Sequence, residues 1–89
     1  MEQKVNIERF LDSTGKIMQL PQKQAIKREL LKYLASKFEE GSIYSEREVN
    51  EICNEWHTFG DHFLLRRELV DHGLLCRKQD GSQYWKTQI

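Results

Sequence analysis

The chain lacks the marks of a membrane protein, a disulfide-stapled secreted scaffold or a covalent enzyme. No apolar run approaches the roughly 20 residues that cross a bilayer. The opening ten residues, through Phe10, lack the hydrophobic stretch of a signal peptide. A soluble, cytoplasmic protein with no membrane partner is therefore expected. There are only two cysteines, Cys53 and Cys76, and they form no Cys-x-x-Cys pair. Both sit in apolar patterns and read as buried free thiols in a reducing compartment, with a single disulfide left open. The five glycines fall singly at turns, so no phosphate-cradling loop exists. No serine sits in a nucleophile elbow. Of the three histidines, His57 and His62 lie near Asp61, and the third is His72. A zinc or iron site from His57, Asp61 and His62 would require their turn to fold inward, and no cysteine lies at ligand spacing. Exposed or capping histidines are the expectation, with no catalytic residue, metal or cofactor assigned.

Net charge is also absent, since 14 Lys and Arg balance 14 Asp and Glu. That counts against a strongly basic nucleic-acid binder. The distribution is uneven, however. Residues 1–38 carry an excess of positive charge, residues 39–55 are acidic, and the remainder is nearly balanced. Solvated helix faces account for this as simply as a docking surface does.

What is present is a series of short, well-punctuated elements. Eighty-nine residues make one domain that buries only about two-thirds of its unfolded surface. Val5, Ile7, Phe10 and Leu11 suggest a short N-terminal helix ending at Ser13-Thr14-Gly15. Lys16–Leu20 reads as a strand or extended arm. Pro21, the only proline, suits the first turn of a helix. From Gln22 to Phe38, Ile26, Leu30 and Leu34 recur at helical spacing, and Gly41 is a plausible C-cap. Ile43-Tyr44 is a minimal strand. Ser45-Glu46-Arg47-Glu48 is a capping box, opening a helix with Val49, Ile52, Cys53 and Trp56 on one stripe. A turn at His57–Gly60 precedes a helix from about Asp61 to His72, stopped by Gly73. Residues 74–78 and 83–87 flank Asp80-Gly81, a dipeptide that suits a two-residue turn with both φ positive. This pairs Cys76 with Trp85 and Arg77 with Tyr84. Leu74, Cys76 and Trp85 are expected inward, and Arg77 and Tyr84 outward.

The order predicts an α+β, mostly helical fold: a winged helix-turn-helix with an N-terminal helix/strand extension (1–20), a helical core (21–73) and a C-terminal β-hairpin wing (74–87). At 100° per residue, Phe63, Leu65, Leu69 and Val70 share the inner side of the last helix, with Arg66 in their midst. Leu64, Arg67, Glu68 and Asp71 fall opposite. A partly buried Arg66 needs a carboxylate, and Glu48, or else Glu46, is the expected partner. Arg67 would face guanine in a major groove, although Glu68 and Asp71 on the same side would repel phosphates. An Arg67–Asp71 pair is the simpler reading. Arg77, Lys78 and Lys86 on the hairpin are candidate phosphate contacts, or solvated charges. Trp56 and Trp85 read as core rather than as a stacking platform.

Tyr44-Ser45-Glu46-Arg47-Glu48-Val49-Asn50, then Leu65-Arg66-Arg67-Glu68-Leu69-Val70-Asp71, then Asp80-Gly81 and Tyr84-Trp85 together resemble a bacterial domain-of-unknown-function family, number 2087. The resemblance runs from near Gly15 to Lys86. It departs at His57-Thr58-Phe59-Gly60, where the family has a His-x-Asp-like turn. Members stand alone or are attached to helix–turn–helix regulators of the arsenic-repressor type, which implies a transcription-linked role. Three functions follow as expectations. The first is a transcriptional regulator module binding double-stranded DNA. The second is a protein-interaction winged helix acting as a homodimer or on a regulator protein. The third is RNA contact through Lys23, Lys27, Arg28 and Lys32. A continuous positive surface over the third helix and hairpin would favour DNA, and a mixed one a protein partner.

Overall fold

A computed structural model of the chain describes residues 6–87. A single 3₁₀ turn, Glu8–Phe10, precedes α1 (Gln24–Ala35), β1 (Ile43–Tyr44), α2 (Glu46–Glu55), α3 (His62–Asp71), β2 (Leu75–Arg77) and β3 (Tyr84–Lys86). The three strands form an antiparallel sheet in the order β1-β3-β2. This is the α+β, winged-helix-like arrangement expected. The strand between the first two helices joins the C-terminal hairpin, so the sheet closes one end of the helical core.

The core draws on all three α-helices and both strands of the hairpin. Leu30, Leu31 and Leu34 of α1, Val49 and Cys53 of α2, Leu65 and Leu69 of α3, and Leu75 and Tyr84 of the sheet are buried together with Ile17. Ile17 lies in no helix or strand of the sheet. Its N–H donates to Trp56 O and its C=O accepts from Thr58 N, which ties the N-terminal arm to the α2–α3 turn. The anticipated N-terminal helix shrinks to the 3₁₀ turn, and Val5 lies outside the described residues. Asp12 accounts for part of this. Its carboxylate accepts from the Thr14 and Lys16 amides, a local turn that competes with helix.

Local chemistry sets the helix ends. Ser45 Oγ accepts from Glu48 N at 3.1 Å, and Glu48 Oε1 accepts from Ser45 N at 2.8 Å, completing the capping box. Asp61 Oδ1 caps α3 by accepting from Leu64 N. At the other end of α3, Gly73 N donates to Val70 O and Leu74 N to Leu69 O. This is a Schellman motif, and it needs the positive φ of Gly73, +72°. Gly41 does not cap α1, which ends at Ala35, six residues earlier. Gly41 instead turns the chain into β1.

The hairpin keeps the expected register, Cys76↔Trp85 and Arg77↔Tyr84. Its faces are the reverse of the expectation. Leu75 and Tyr84 are buried, whereas Cys76 and Trp85 are only half-buried. β3 is the central strand, and its Tyr84 side turns to the helices. Ile43, opposite Trp85 on β1, stays exposed on the other side. The turn differs too. Only Gly81 has positive φ, because Asp80 accepts Ser82 N at 2.9 Å and keeps an ordinary backbone. Lys78 N donates to Gln83 O, so Gln79–Ser82 form a four-residue loop.

Candidate nucleic-acid interface

α3 and the wing enclose a concavity of about 390 Å³ lined by Glu46, Phe63, Arg66, Arg67, Val70, Asp71, Arg77 and Tyr84. Three arginines from two elements therefore converge on one open groove.

Arg66 forms its inner wall. Its side chain is 13% exposed, and one guanidinium nitrogen lies 3.5 Å from Glu46 Oε1. Another donates to Asn50 Oδ1. Of the two expected carboxylates Glu46 is thus the partner, and Glu48 is not involved, because its side chain is committed to the Ser45 amide. Glu46 and Asn50 are four residues apart on α2, so one α2 face supplies both acceptors. Tyr84 Oη also approaches Glu46 Oε1, at 3.5 Å. This node bridges α2, α3 and β3.

Arg67 lies on the water side of α3, its side chain 70% exposed, with Nε 3.7 Å from Asp71 Oδ2. Such an exposed i, i+4 pair contributes only about 0.5 kcal/mol. Glu68 was expected beside Arg67 but turns away. Its carboxylate meets Lys27 of α1 at 3.7 Å and His72 Nε2 at 3.2 Å. One anticipated source of phosphate repulsion is thus removed from the groove. Within it, Glu46 is matched to Arg66 and Asp71 to Arg67. Arg77 has no acidic partner among the described residues and donates to its own turn carbonyls, Lys78 O and Gln79 O. The surface is mixed in sign with one arginine in excess.

The remaining candidates are not gathered here. Lys78 is exposed at the hairpin loop. Lys86 lines a separate hollow with Gly41, Ile43 and Trp85. Phe63, placed by the helical wheel on the inner stripe, is instead 57% exposed. It sits in the first turn of α3, at the mouth of the groove, with the Arg66 guanidinium 5.1 Å from its ring centroid. The signal for this was its place at the helix start, ahead of the packed turns that bury Leu65 and Leu69.

The turn feeding α3 is built on His57. This residue is buried, which overturns the exposed alternative, while its bond to a carbonyl in the last turn of α2 keeps the capping one. Its Nδ1 meets Cys53 O and its Nε2 accepts from Asp61 N at 2.8 Å, a pattern that requires the neutral Nδ1–H tautomer. Both ring nitrogens are thereby used within the protein. Among the described residues no group of three or more His, Cys, Asp or Glu is placed to hold a metal ion. Neither is any described helix long and apolar enough to cross a membrane. Cys53 and Cys76 are both free, so no disulfide joins them. Burial pushes the Cys53 thiol up to about 12, with Arg66 pulling weakly the other way. Trp56 is half-buried, and Lys37 Nζ sits 4.0 Å from its ring centroid.

A family model described as "Uncharacterized protein conserved in bacteria (DUF2087)" matches residues 16–86. Neither the curated proteins nor the solved structures give a match.

Proposed function

From the premise that the chain belongs to the bacterial DUF2087 family, we propose that it is a DNA-binding module of a transcriptional regulator. The observation carrying this reading is that Arg67 of α3 and Arg77 of the wing line the same open groove. In winged helices the third helix enters the major groove, and neighbouring charges grip the backbone. Arg67 is the base-reading residue in this proposal. Its pair with Asp71 is exposed and is exchanged for a guanine edge at little cost. Arg77 and Lys78 contact phosphate. Lys86 lies apart and adds at most a peripheral contact. So few cations imply modest affinity, with non-specific binding near the weak end, roughly 10⁻⁴ M at physiological salt.

The test is anisotropy of a labelled random duplex, titrated with protein over a range of salt. The slope of log K against log salt should be about −2 for two phosphate contacts, and Arg77→Ala should bring it closer to zero by about 1. Absence of binding at low salt, at protein concentrations near 10⁻⁴ M, would overturn the proposal.

A second reading has its own observation. The groove is mixed in sign and carries an exposed Phe63, and the whole chain is neutral. These features suit a protein partner or a second copy, and a mixed rather than continuous positive surface over α3 and the hairpin is the one expected of a protein partner. Sedimentation of the protein alone, and with duplex, separates the two readings.

A further inference from the structure

Among the described residues Phe63 is the one large apolar side chain exposed in the groove, and its placement specifies more than general adhesion. It lies four residues before Arg67, so the two share a stripe of α3. Four residues of helix rise about 6 Å, which spans about two base-pair steps at 3.4 Å each. Its ring is also held in place. The Arg66 guanidinium lies 5.1 Å from the ring centroid and is itself anchored to Glu46 and Asn50. A side chain already positioned loses less freedom on docking.

Resting on the DNA-binding reading, we infer that Phe63 is a specificity-determining residue that packs on the 5-methyl group of a thymine, within about two base pairs of the guanine read by Arg67. The thymine methyl is the apolar feature of the major-groove edge, and an aromatic carbon surface is its natural complement. Uracil pairs as thymine does but lacks that methyl, so the contact is separable from pairing and from phosphate grip.

The experiment selects duplexes from a random pool with the full chain, then replaces each selected thymine singly by uracil. Binding is measured for the parent, Phe63→Ala and Phe63→Leu, with circular dichroism confirming that each variant is folded. At one thymine close to a required guanine, uracil should weaken parent binding about fourfold, the value of one buried methyl group. Phe63→Ala should abolish that difference, and Phe63→Leu should keep part of it. If the parent binds duplex but is indifferent to uracil at every position, the inference falls and the DNA reading stands. The inference falls in the same way if Phe63→Ala retains the uracil penalty, or if it loses only self-association. If the parent enriches no duplex at all, both fall together. The uracil comparison uses the unaltered protein, and Phe63→Leu, which should keep only part of the penalty, tests the assignment to Phe63 if Phe63→Ala fails to fold.

Discussion

Replacing Arg66 by alanine tests the node that joins α2, α3 and β3. Three contributions are lost. The hydrogen bond from the guanidinium to Asn50 is charge-assisted and contributes about 1.5 kcal/mol. The aliphatic stem, in a side chain only 13% exposed, contributes about 1 kcal/mol through packing. The pair with Glu46 adds little, because Glu46 is 52% exposed and water replaces the arginine there. The sum is about 2.5 kcal/mol, not the larger penalty of stranding a fully buried charge. For a domain of this size it lowers the melting temperature by roughly 10–20 °C. Arg66→Leu keeps the apolar stem and should lose only about 1.5 kcal/mol. Urea unfolding followed by the fluorescence of Trp56 and Trp85 measures both variants. Glu46→Gln in each background isolates the ionic share, which should stay below about 1 kcal/mol. An Arg66→Ala protein that unfolds at the parent's urea midpoint would refute this account and show that the node is incidental to stability.

Other outcomes follow from the same geometry. Gly15 has φ +87°, and a Cβ there would lie 2.9 Å from Tyr33 Oη, which donates to Gly15 O. Gly15→Ala should therefore lower the urea midpoint by the equivalent of about 2 kcal/mol, whereas Gly41→Ala, with positive φ but open space, should cost about 1. His57→Phe leaves Asp61 N without its partner, while Cys53 O keeps the Trp56 amide, and should cost about 1 kcal/mol in the same assay. Cys53 gives a pH dependence. Its thiol holds its proton up to about 12 when folded, against 9.0 ordinarily, so the unfolded chain loses that proton first. The stabilisation is fully present below pH 9, declines as pH rises from there, and is gone above about 12. At 1.5 pH units above the ordinary value the loss should reach about 2 kcal/mol, and Cys53→Val should remove this part of the alkaline slope. A thiol reagent at neutral pH should label Cys53 only after unfolding.

The order of elements was legible in the chain because each boundary is chemically local. Ser45 and Glu48 cap one another, Asp61 caps α3, Gly73 supplies the left-handed residue that ends it, and Gly81 sits at the hairpin bend. Such signals act over three or four residues and need no tertiary partner. The register of the wing followed from the loop for the same reason. Helical periodicity likewise put Arg66 on a partly buried stripe and Arg67 on the water side.

Residue choices that depend on a second element were not legible. Period-two alternation says that Tyr84 and Trp85 face opposite ways, but not which way is inward. That was decided by β3 becoming the central strand over the helices. Of the two carboxylates expected for Arg66 only Glu46 met it, with Asn50 unforeseen, because the box at the start of α2 had already claimed Glu48. Glu68 joined Lys27 across a helix–helix contact that no local pattern announces. The amino-acid sequence alone thus determined where helices and strands begin, end and bend, since those free energies are local. Which side chains share the groove, and which acids are drawn out of it, was decided only by packing, which brings together residues far apart in the chain.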